Sequence, residues 1–182
     1  MNYRNYLYNK LENYNSSFIE ENYYKLKMLD LLKNHPNPFE RDCPSHFTAS
    51  AFLLNSDRSK FLLMHHRKLD KWFQPGGHCD GNENILEVSI KEAREESGIN
   101  EIRAISEKIY DIDIHLIPKI HNEEEHYHYD VRFLLQTIDN DFLFKNKESK
   151  DIRWVSFDCF DEFSINDNLK RMIKKYQNQI LF

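Results

Sequence analysis

The feature that most constrains this chain is a glycine-rich loop that leads directly into an acidic helix. Three of the four glycines lie in the segment WFQPGGHCDGNEN: Gly76, Gly77 and Gly81. Glycine permits backbone conformations and close approaches that other residues exclude, so this concentration indicates a loop of demanding geometry. The next segment predicts a helix from about Ile85 to Ser97, with Gly98 placed as its C-cap.

This helix carries three carboxylates on one face. Glu92, Glu95 and Glu96 stand at i, i+3 and i+4, and like charges at this spacing repel one another. A hard divalent cation between them would remove the repulsion, since oxygen ligands are those that Mg²⁺ and Mn²⁺ select. The alternative is an ordinary solvated face, in which the interleaved Lys91 and Arg94 form salt bridges with the glutamates.

Composition excludes several classes of protein. The chain has 182 residues, of which 40% are hydrophobic and 14% aromatic, which favours a packed domain over a disordered chain. A net charge of -5 gives no reason to bind a nucleic-acid polymer or an anionic membrane. No run approaches 18 apolar residues, so no membrane span is predicted.

Two further observations bear on the compartment. The N-terminal segment is polar and lacks the apolar core of a signal peptide. Cys43, Cys79 and Cys159 are odd in number and far apart, which indicates a reducing cytoplasm and not a disulfide framework.

The N-terminal 45 residues predict a helix followed by a break. Ser17 and Glu20 have the spacing of a capping box, and apolar residues recur at helical spacing after them. The segment NHPNP then ends the helix, because proline cannot continue one. We therefore divide the chain into a helical extension, residues 1–45, and a folded domain, residues 46–182.

The folded domain is predicted as strands interspersed with helices. Its strand segments are HFTASAFLLN, KFLLMHH, IYDIDIHLI, HYHYDVRFLLQT and DIRWVSF. The first two are expected to form a hairpin, and the last helix carries four apolar residues at helical spacing: Leu169, Met172, Ile173 and Tyr176. This order favours an α/β (α+β) fold with a mixed β-sheet covered by helices.

Residues 77–99, GHCDGNENILEVSIKEAREESGI, resemble the Nudix box. The pattern of that motif is G-x5-E-x7-R-E-U-x-E-E-x-G-U, with U an aliphatic residue. Seven required positions match: Gly77, Glu83, Glu92, Glu95, Glu96, Gly98 and Ile99. Ala93 is a weak match to the first aliphatic position. The order of predicted elements from about residue 46 to 180 also fits the Nudix domain.

The resemblance implies a Nudix-like α/β/α sandwich and hydrolysis of a diphosphate linkage in a nucleoside diphosphate linked to another moiety. Such a substrate is polyanionic, and bound Mg²⁺ or Mn²⁺ would offset its charge, orient the phosphates and help to activate the attacking water. By the family pattern the metal ligands are Glu92, Glu95 and Glu96, assisted by the carbonyl of Gly76. Glu92 is alternatively the base that takes a proton from the water.

Lys91 departs from the pattern. The family has arginine at this position, where its planar fork holds a glutamate in place. Lysine keeps the charge but offers a point-like donor on a more flexible stem. The resemblance therefore implies an orienting role for Lys91, either alone or shared with Arg94.

Other residues extend the candidate site with alternatives still open. Glu148 is the favoured further metal ligand, and the run Glu123–Glu125 is its rival. His126, His128 and Asp130 alternate along one strand and so share a face, which predicts either a separate metal site, with His121 nearby, or a polar strand face bordering the substrate cleft.

Substrate contacts are predicted from three residues: Arg67, Phe73 and His128. Arg67 belongs to the basic cluster of residues 66–68, which either meets phosphates or forms a solvated turn. Phe73 and its neighbour Trp72 either stack on a base or pack in the core.

Two functions from different classes fit the sequence. The first is a metal-dependent pyrophosphohydrolase acting on a small nucleotide-type diphosphate. The second is a non-catalytic nucleotide or ADP-ribose sensor that retains the fold. The apolar surface of the N-terminal helix is broader than a lone helix needs, so we expect it either to pack on its own domain or to cross to a second subunit. Of the two we favour a homodimer.

Overall fold

The computed structural model describes residues 2–67, 69–119, 124–147 and 149–180. Within these ranges the chain forms four α-helices and one 3₁₀ helix: α1 (Tyr3–Glu12), α2 (Ile19–Asn34), α3 (Ile85–Ser97), α4 (Asp167–Ile180) and the 3₁₀ helix Phe160–Glu162. None of these helices has both the length and the apolar character that a membrane span requires.

Eight strands are found in the described ranges: β1 (Ser45–Leu54), β2 (Lys60–His66), β3 (Lys71–Phe73), β4 (Gly76–His78), β5 (Ile102–Ala104), β6 (Asp111–Ile117), β7 (His126–Thr137) and β8 (Ser149–Ser156). Hydrogen bonds join them in the order β3-β2-β1-β7-β5, with β4 beside β1, β6 beside β7 and β8 beside β2. The predicted fold class, a mixed sheet combined with helices, is confirmed. The three-residue strands β3, β4 and β5 were not predicted.

The chain divides into two compact units. The first comprises Met1–Ser50, Gly77–Ser89 and Glu107–Phe133, and the second comprises Ala51–Gly76, Ile90–Ser106 and Leu134–Phe182.

In the first unit the N-terminal helices pack against strand β6. Helices α1 and α2 contact each other, α2 contacts β6, and the buried apolar residues of the two helices are Leu7, Leu11, Met28 and Leu32. Glu21 lies in the same interior, where its Oε1 accepts hydrogen bonds from the Tyr14 hydroxyl at 2.6 Å and the Ile112 backbone N–H at 3.1 Å. The N-terminal segment therefore packs on its own chain.

The predicted capping box at the start of α2 is wrong. The helix begins at Ile19, and its N-cap is Phe18, a residue without a side-chain oxygen. The Phe18 N–H instead donates to Ser16 Oγ at 3.1 Å, one residue before the predicted cap. The other end agrees with the prediction, because α2 ends at Asn34, at the start of NHPNP.

A buried charge network connects β6 and β7 in the first unit. Arg132 is 2% exposed and donates to three buried aspartates, to Asp130 at 2.7 Å, Asp111 at 3.0 Å and Asp113 at 3.1 Å. Asp130 also accepts hydrogen bonds from the hydroxyls of Thr48 and Ser50 on β1. Burial opposes the charge of Arg132, but the three aspartates outweigh it and raise the pKa of this guanidinium above its ordinary value.

The second unit is built around β2 and α4. Strand β2 pairs antiparallel with β3 and β8, and the Leu54–Phe61 pairing forms the predicted hairpin between β1 and β2. The four residues predicted as the apolar face of α4 are all buried: Leu169, Met172, Ile173 and Tyr176. The ring of Tyr176 stacks on that of Phe157, with centroids 4.8 Å apart.

Candidate active site

A hydrogen bond joins the glycine loop to helix α3 within the second unit. The backbone N–H of Gly76 donates to Glu96 Oε2 at 2.8 Å, and Glu96 is only 9% exposed. The preceding carbonyl, that of Pro75, accepts from the Ala51 N–H at 2.8 Å, which fixes this stretch of backbone against β1. The loop therefore meets the acidic face of α3 at a defined point, through the Gly76 N–H; the role of the Gly76 carbonyl as a metal ligand stays a prediction.

The other two glutamates of the triplet surround a lysine. Lys91 Nζ lies 3.0 Å from Glu92 Oε1 and 3.6 Å from Glu95 Oε2. The Glu92 side chain is 13% exposed, whereas that of Glu95 is 58% exposed. The hydrogen bond to Glu92 raises the pKa of Lys91, so this ammonium keeps its charge between the two carboxylates.

Arg94 takes no part in this arrangement. Its side chain is exposed and forms no ion pair with any residue in the described ranges. Lys91, and not Arg94, contacts both Glu92 and Glu95.

Helix α3 has the predicted bounds, Ile85–Ser97, and ends directly after the triplet. Gly98 has φ +73° and donates its N–H to the Arg94 carbonyl at 2.9 Å, as a glycine C-cap does. A Cβ at this position would lie 2.5 Å from the Cβ of Phe144, so space and conformation both require glycine.

The sequence profile of the NUDIX domain matches residues 44–176. The chain belongs to the Nudix hydrolase family. None of the curated protein sequences compared with the chain matches it.

Solved structures of Nudix proteins share the fold at low identity. An Ap4A hydrolase from C. elegans, in a binary complex, aligns with a TM-score of 0.59 at 14% identity, over 74% of this chain and 97% of that one. A NUDIX-family hydrolase from Clostridium perfringens aligns at 0.56 and 24% identity, with 74% and 97% covered. The NUDIX domain of Shewanella oneidensis NrtR, complexed with ADP ribose, aligns at 0.54 and 16% identity, with 83% and 97% covered. The Nudix fold expected from the sequence is thereby confirmed.

Two predicted substrate-binding residues of this Nudix protein lie in the second unit. The guanidinium of Arg67 donates to the backbone carbonyls of Lys147 at 3.1 Å and Ser149 at 3.2 Å, so two of its nitrogens already hold the chain at the start of β8. Phe73 is half-buried on β3, with its ring 6.3 Å from that of His66. Lys68, the third residue of the basic cluster, lies outside the described residues.

Trp72 is packed and not open for stacking on a base. Its indole stacks on His65, with ring centroids 4.9 Å apart, and meets the edge of Phe163 at 5.0 Å. Of the two interpretations of this residue, the structure favours packing.

The further carboxylate ligand stays a prediction. Glu148, His121 and Glu123 lie outside the described residues. Within the rival run, Glu124 forms an exposed ion pair with Lys119 at 2.5 Å, as in a solvated surface.

The histidine-rich face of β7 divides into two parts, both in the first unit. Asp130 belongs to the Arg132 network and not to a metal set with His126 and His128. The two histidines instead meet His46 and His78, with one ligand atom from each of the four residues within 4.8 Å of the others. Sequence reasoning missed His46 and His78.

Burial keeps most of this cluster neutral. Loss of solvent lowers the pKa of His46, lowers that of His78 to about 4 and lowers that of His128 to about 2. Neutral imidazole is the form in which histidine binds metal ions.

Proposed function

We propose that this Nudix protein is a metal-dependent pyrophosphohydrolase that cleaves a diphosphate linkage in a nucleoside diphosphate linked to another moiety. The observation that carries the proposal is the contact of Gly76 with Glu96 on α3, a hydrogen bond of 2.8 Å. A solvated acidic face would have no reason to bury Glu96 against a backbone amide.

The donor set fits a hard divalent cation. The carboxylates of Glu92, Glu95 and Glu96, with the carbonyl of Gly76, would supply only oxygen ligands, which suits Mg²⁺ or Mn²⁺. Such an ion would offset the charge of the diphosphate and increase the acidity of the attacking water. Glu148 stays our proposal for a further ligand.

The chain's own residues prepare this chemistry. Lys91 spans Glu92 and Glu95, offsets their mutual repulsion and limits the positions of both carboxylates. The Gly76 amide does the same for Glu96. In the alternative in which Glu92 is the base and not a ligand, it would accept a proton from the water as the water oxygen bonds to phosphorus, while the bridging oxygen leaves with the second phosphate.

Two residues of the second unit, Arg67 and Phe73, are proposed to meet the substrate. The substrate contact expected of His128, in the first unit, stays a prediction. Arg67 has one guanidinium nitrogen, Nη1, beyond the two that hold backbone carbonyls, and that nitrogen is suited to a phosphate oxygen. Phe73 offers a half-buried aromatic ring to a base.

The structural neighbours favour a nucleotide-type small molecule as the partner. One of them carries Ap4A in its name and another was solved with ADP ribose, and both compounds contain phosphoanhydride linkages. The ADP-ribose complex also supports the second candidate function, a sensor that binds such a compound without cleaving it. Repeated hydrolysis of the bound compound would distinguish the enzyme from the sensor.

We further propose that residues 1–45 form an extension to a catalytic domain of residues 46–182, and that the protein works as a homodimer in the cytoplasm. Helix α2 supports the dimer, because three of its large apolar residues are exposed although its other face is buried: Ile19 at 83%, Tyr23 at 58% and Leu26 at 64%. The three free cysteines fit a reducing compartment.

Glu96→Gln tests the metal site. Glutamine keeps the shape and can still accept the Gly76 amide, but it removes the charge, so we expect hydrolysis to fall by roughly 100-fold or more with the fold intact. Turnover with Mg²⁺ and circular dichroism measure the two effects. Glu87→Gln, at an exposed position of the same helix, is the matched control and should retain wild-type turnover. Undiminished hydrolysis in excess chelator would contradict the mechanism.

Lys91→Arg tests the departure from the family pattern. We expect the variant to keep or exceed the wild-type kcat/KM, because a guanidinium fork reaches two carboxylates better than an ammonium does. Lys91→Gln, which removes the charge, should lower kcat/KM by about 10-fold, equivalent to about 1.4 kcal/mol. A large loss in Lys91→Arg would show that the site has adapted to lysine.

Leu26→Glu tests the dimer. A charge in the exposed apolar face of α2 should shift the molar mass from dimer to monomer, measured by light scattering, while the helix keeps its buried face. Lys33→Glu, also exposed on α2, is the control and should leave the mass unchanged. A monomeric wild-type protein would refute the proposed dimer.

A further inference from the structure

Four histidines converge in the first unit, away from the carboxylates in sequence and different from them in chemistry. His46 lies near the start of β1, His78 ends β4, and His126 and His128 begin β7. Five of the six pairs of rings have centroid separations between 4.9 and 5.2 Å. Residues from three strands thus surround one point.

Backbone carbonyls set the orientation of two of the rings. His46 Nδ1 lies 2.8 Å from the Cys43 carbonyl, and His126 Nδ1 lies 2.8 Å from the Glu124 carbonyl. A carbonyl accepts a hydrogen bond, so Nδ1 carries the proton in each ring and Nε2 presents a lone pair. This arrangement, with one nitrogen donating to a carbonyl, is typical of histidines that bind metals.

The lone pair of His46 has no protein partner in the described ranges. Its Nε2 is buried and makes no hydrogen bond there, and the residue as a whole is 1% exposed. A buried polar atom left in this state is costly, and such atoms are rare in folded proteins. The atom belongs to the ring that neighbours all three other histidines.

The contact between His126 and His128 also needs a further partner, either a proton or a cation. Their Nε2 atoms are 3.0 Å apart. Because Nε2 of His126 is an acceptor, this approach needs a proton on His128 Nε2 or a cation that both nitrogens bind. A proton on His128 would provide a hydrogen bond between His126 and His128 but would leave His46 Nε2 without a partner. One cation bound by the cluster would provide a partner for all three Nε2 atoms.

We propose that His46, His78, His126 and His128 together bind one divalent transition-metal ion, for which Zn²⁺ is the best match. Four imidazoles suit zinc and its neighbours in the first transition row and do not suit Mg²⁺. Tetrahedral coordination at 2.0–2.1 Å separates the ligand nitrogens by roughly 3.3 Å. The Nε2 atoms of His126 and His128, 3.0 Å apart, are close to this spacing. Ring rotations would bring together the other ligand nitrogens, which lie up to 4.8 Å apart.

A fifth histidine marks the limit of the site. The ring of His115 lies 5.3 Å from that of His128, but its Nδ1 is directed to Asp113 Oδ2 at 3.0 Å. Among the described residues, the ligand atoms that lie within 4.8 Å of one another are those of His46, His78, His126 and His128, so His115 is not a member of the set.

Zinc titration of the full chain, produced without a histidine tag and stripped of metal, tests the proposal. We expect one Zn²⁺ per chain with a Kd below about 1 µM by calorimetry. Excess Mg²⁺ should not displace it, because Mg²⁺ prefers oxygen ligands. His126→Gln and His128→Gln should each weaken zinc binding by roughly 100-fold or more.

Two controls separate this site from other histidines and from the carboxylates. His65→Gln removes a histidine that stacks on Trp72, outside the cluster, and should leave zinc affinity unchanged. Glu96→Gln should also retain it, whether or not the enzyme activity depends on Glu96. Failure of the wild-type chain to retain zinc, or an equal loss in His65→Gln and His126→Gln, would overturn the proposal.

Two measurements on the wild-type chain keep the test decisive if a cluster variant does not fold. Zinc should raise the melting temperature by several degrees, since it would bind only the folded cluster. Co²⁺ in place of zinc should give the intense visible bands of tetrahedral coordination. The weak bands of six-coordinate Co²⁺ would overturn the assignment.

Discussion

The interaction on which the first unit depends is the burial of Arg132 among three aspartates. A guanidinium at 2% exposure is tolerable only because Asp111, Asp113 and Asp130 all bind it, at 2.7–3.1 Å. Removing one partner from such a network leaves an uncompensated buried charge, which typically costs about 3–5 kcal/mol. The network also sets the register of β6 and β7, in which Asp111 faces Arg132 and Asp113 faces Asp130. A slip by one residue would turn Arg132 and the two histidines at the start of β7 to the opposite face of the sheet.

The sequence predicts most of what depends on local pattern. Helix α3 has the predicted bounds because apolar spacing and a C-terminal glycine agree there. Strand β7 coincides with the predicted segment HYHYDVRFLLQT. Helix α1 was missed as a separate element because it buries only Leu7 and Leu11 in an otherwise polar segment. Strands of three residues, such as β4, are too short to show the alternation of apolar and polar residues from which strands are predicted.

The parts that the sequence does not predict come from distant segments that meet in the fold. The alternation of His126, His128 and Asp130 correctly predicts one face of a strand, but it cannot say which of them share a partner. The pairing partner decides this: Asp130 faces Asp113 and joins the Arg132 network, whereas His126 and His128 meet His46 and His78 from other strands. The contacts of the carboxylates, by contrast, can be predicted from the sequence. Lys91, Glu92 and Glu95 are neighbours on one helix, so their contacts follow from helical spacing.

The central claim is that this Nudix protein hydrolyses a phosphoanhydride bond of a nucleotide-type compound. The most direct test incubates the purified chain with ADP-ribose, a nucleotide sugar, a nucleoside triphosphate and a dinucleoside polyphosphate in the presence of Mg²⁺ or Mn²⁺, and identifies the products by mass spectrometry. We predict that at least one compound is split between two phosphorus atoms, with one oxygen from solvent water in the products. Tight binding of ADP-ribose without any product would contradict it and would identify the protein as a sensor.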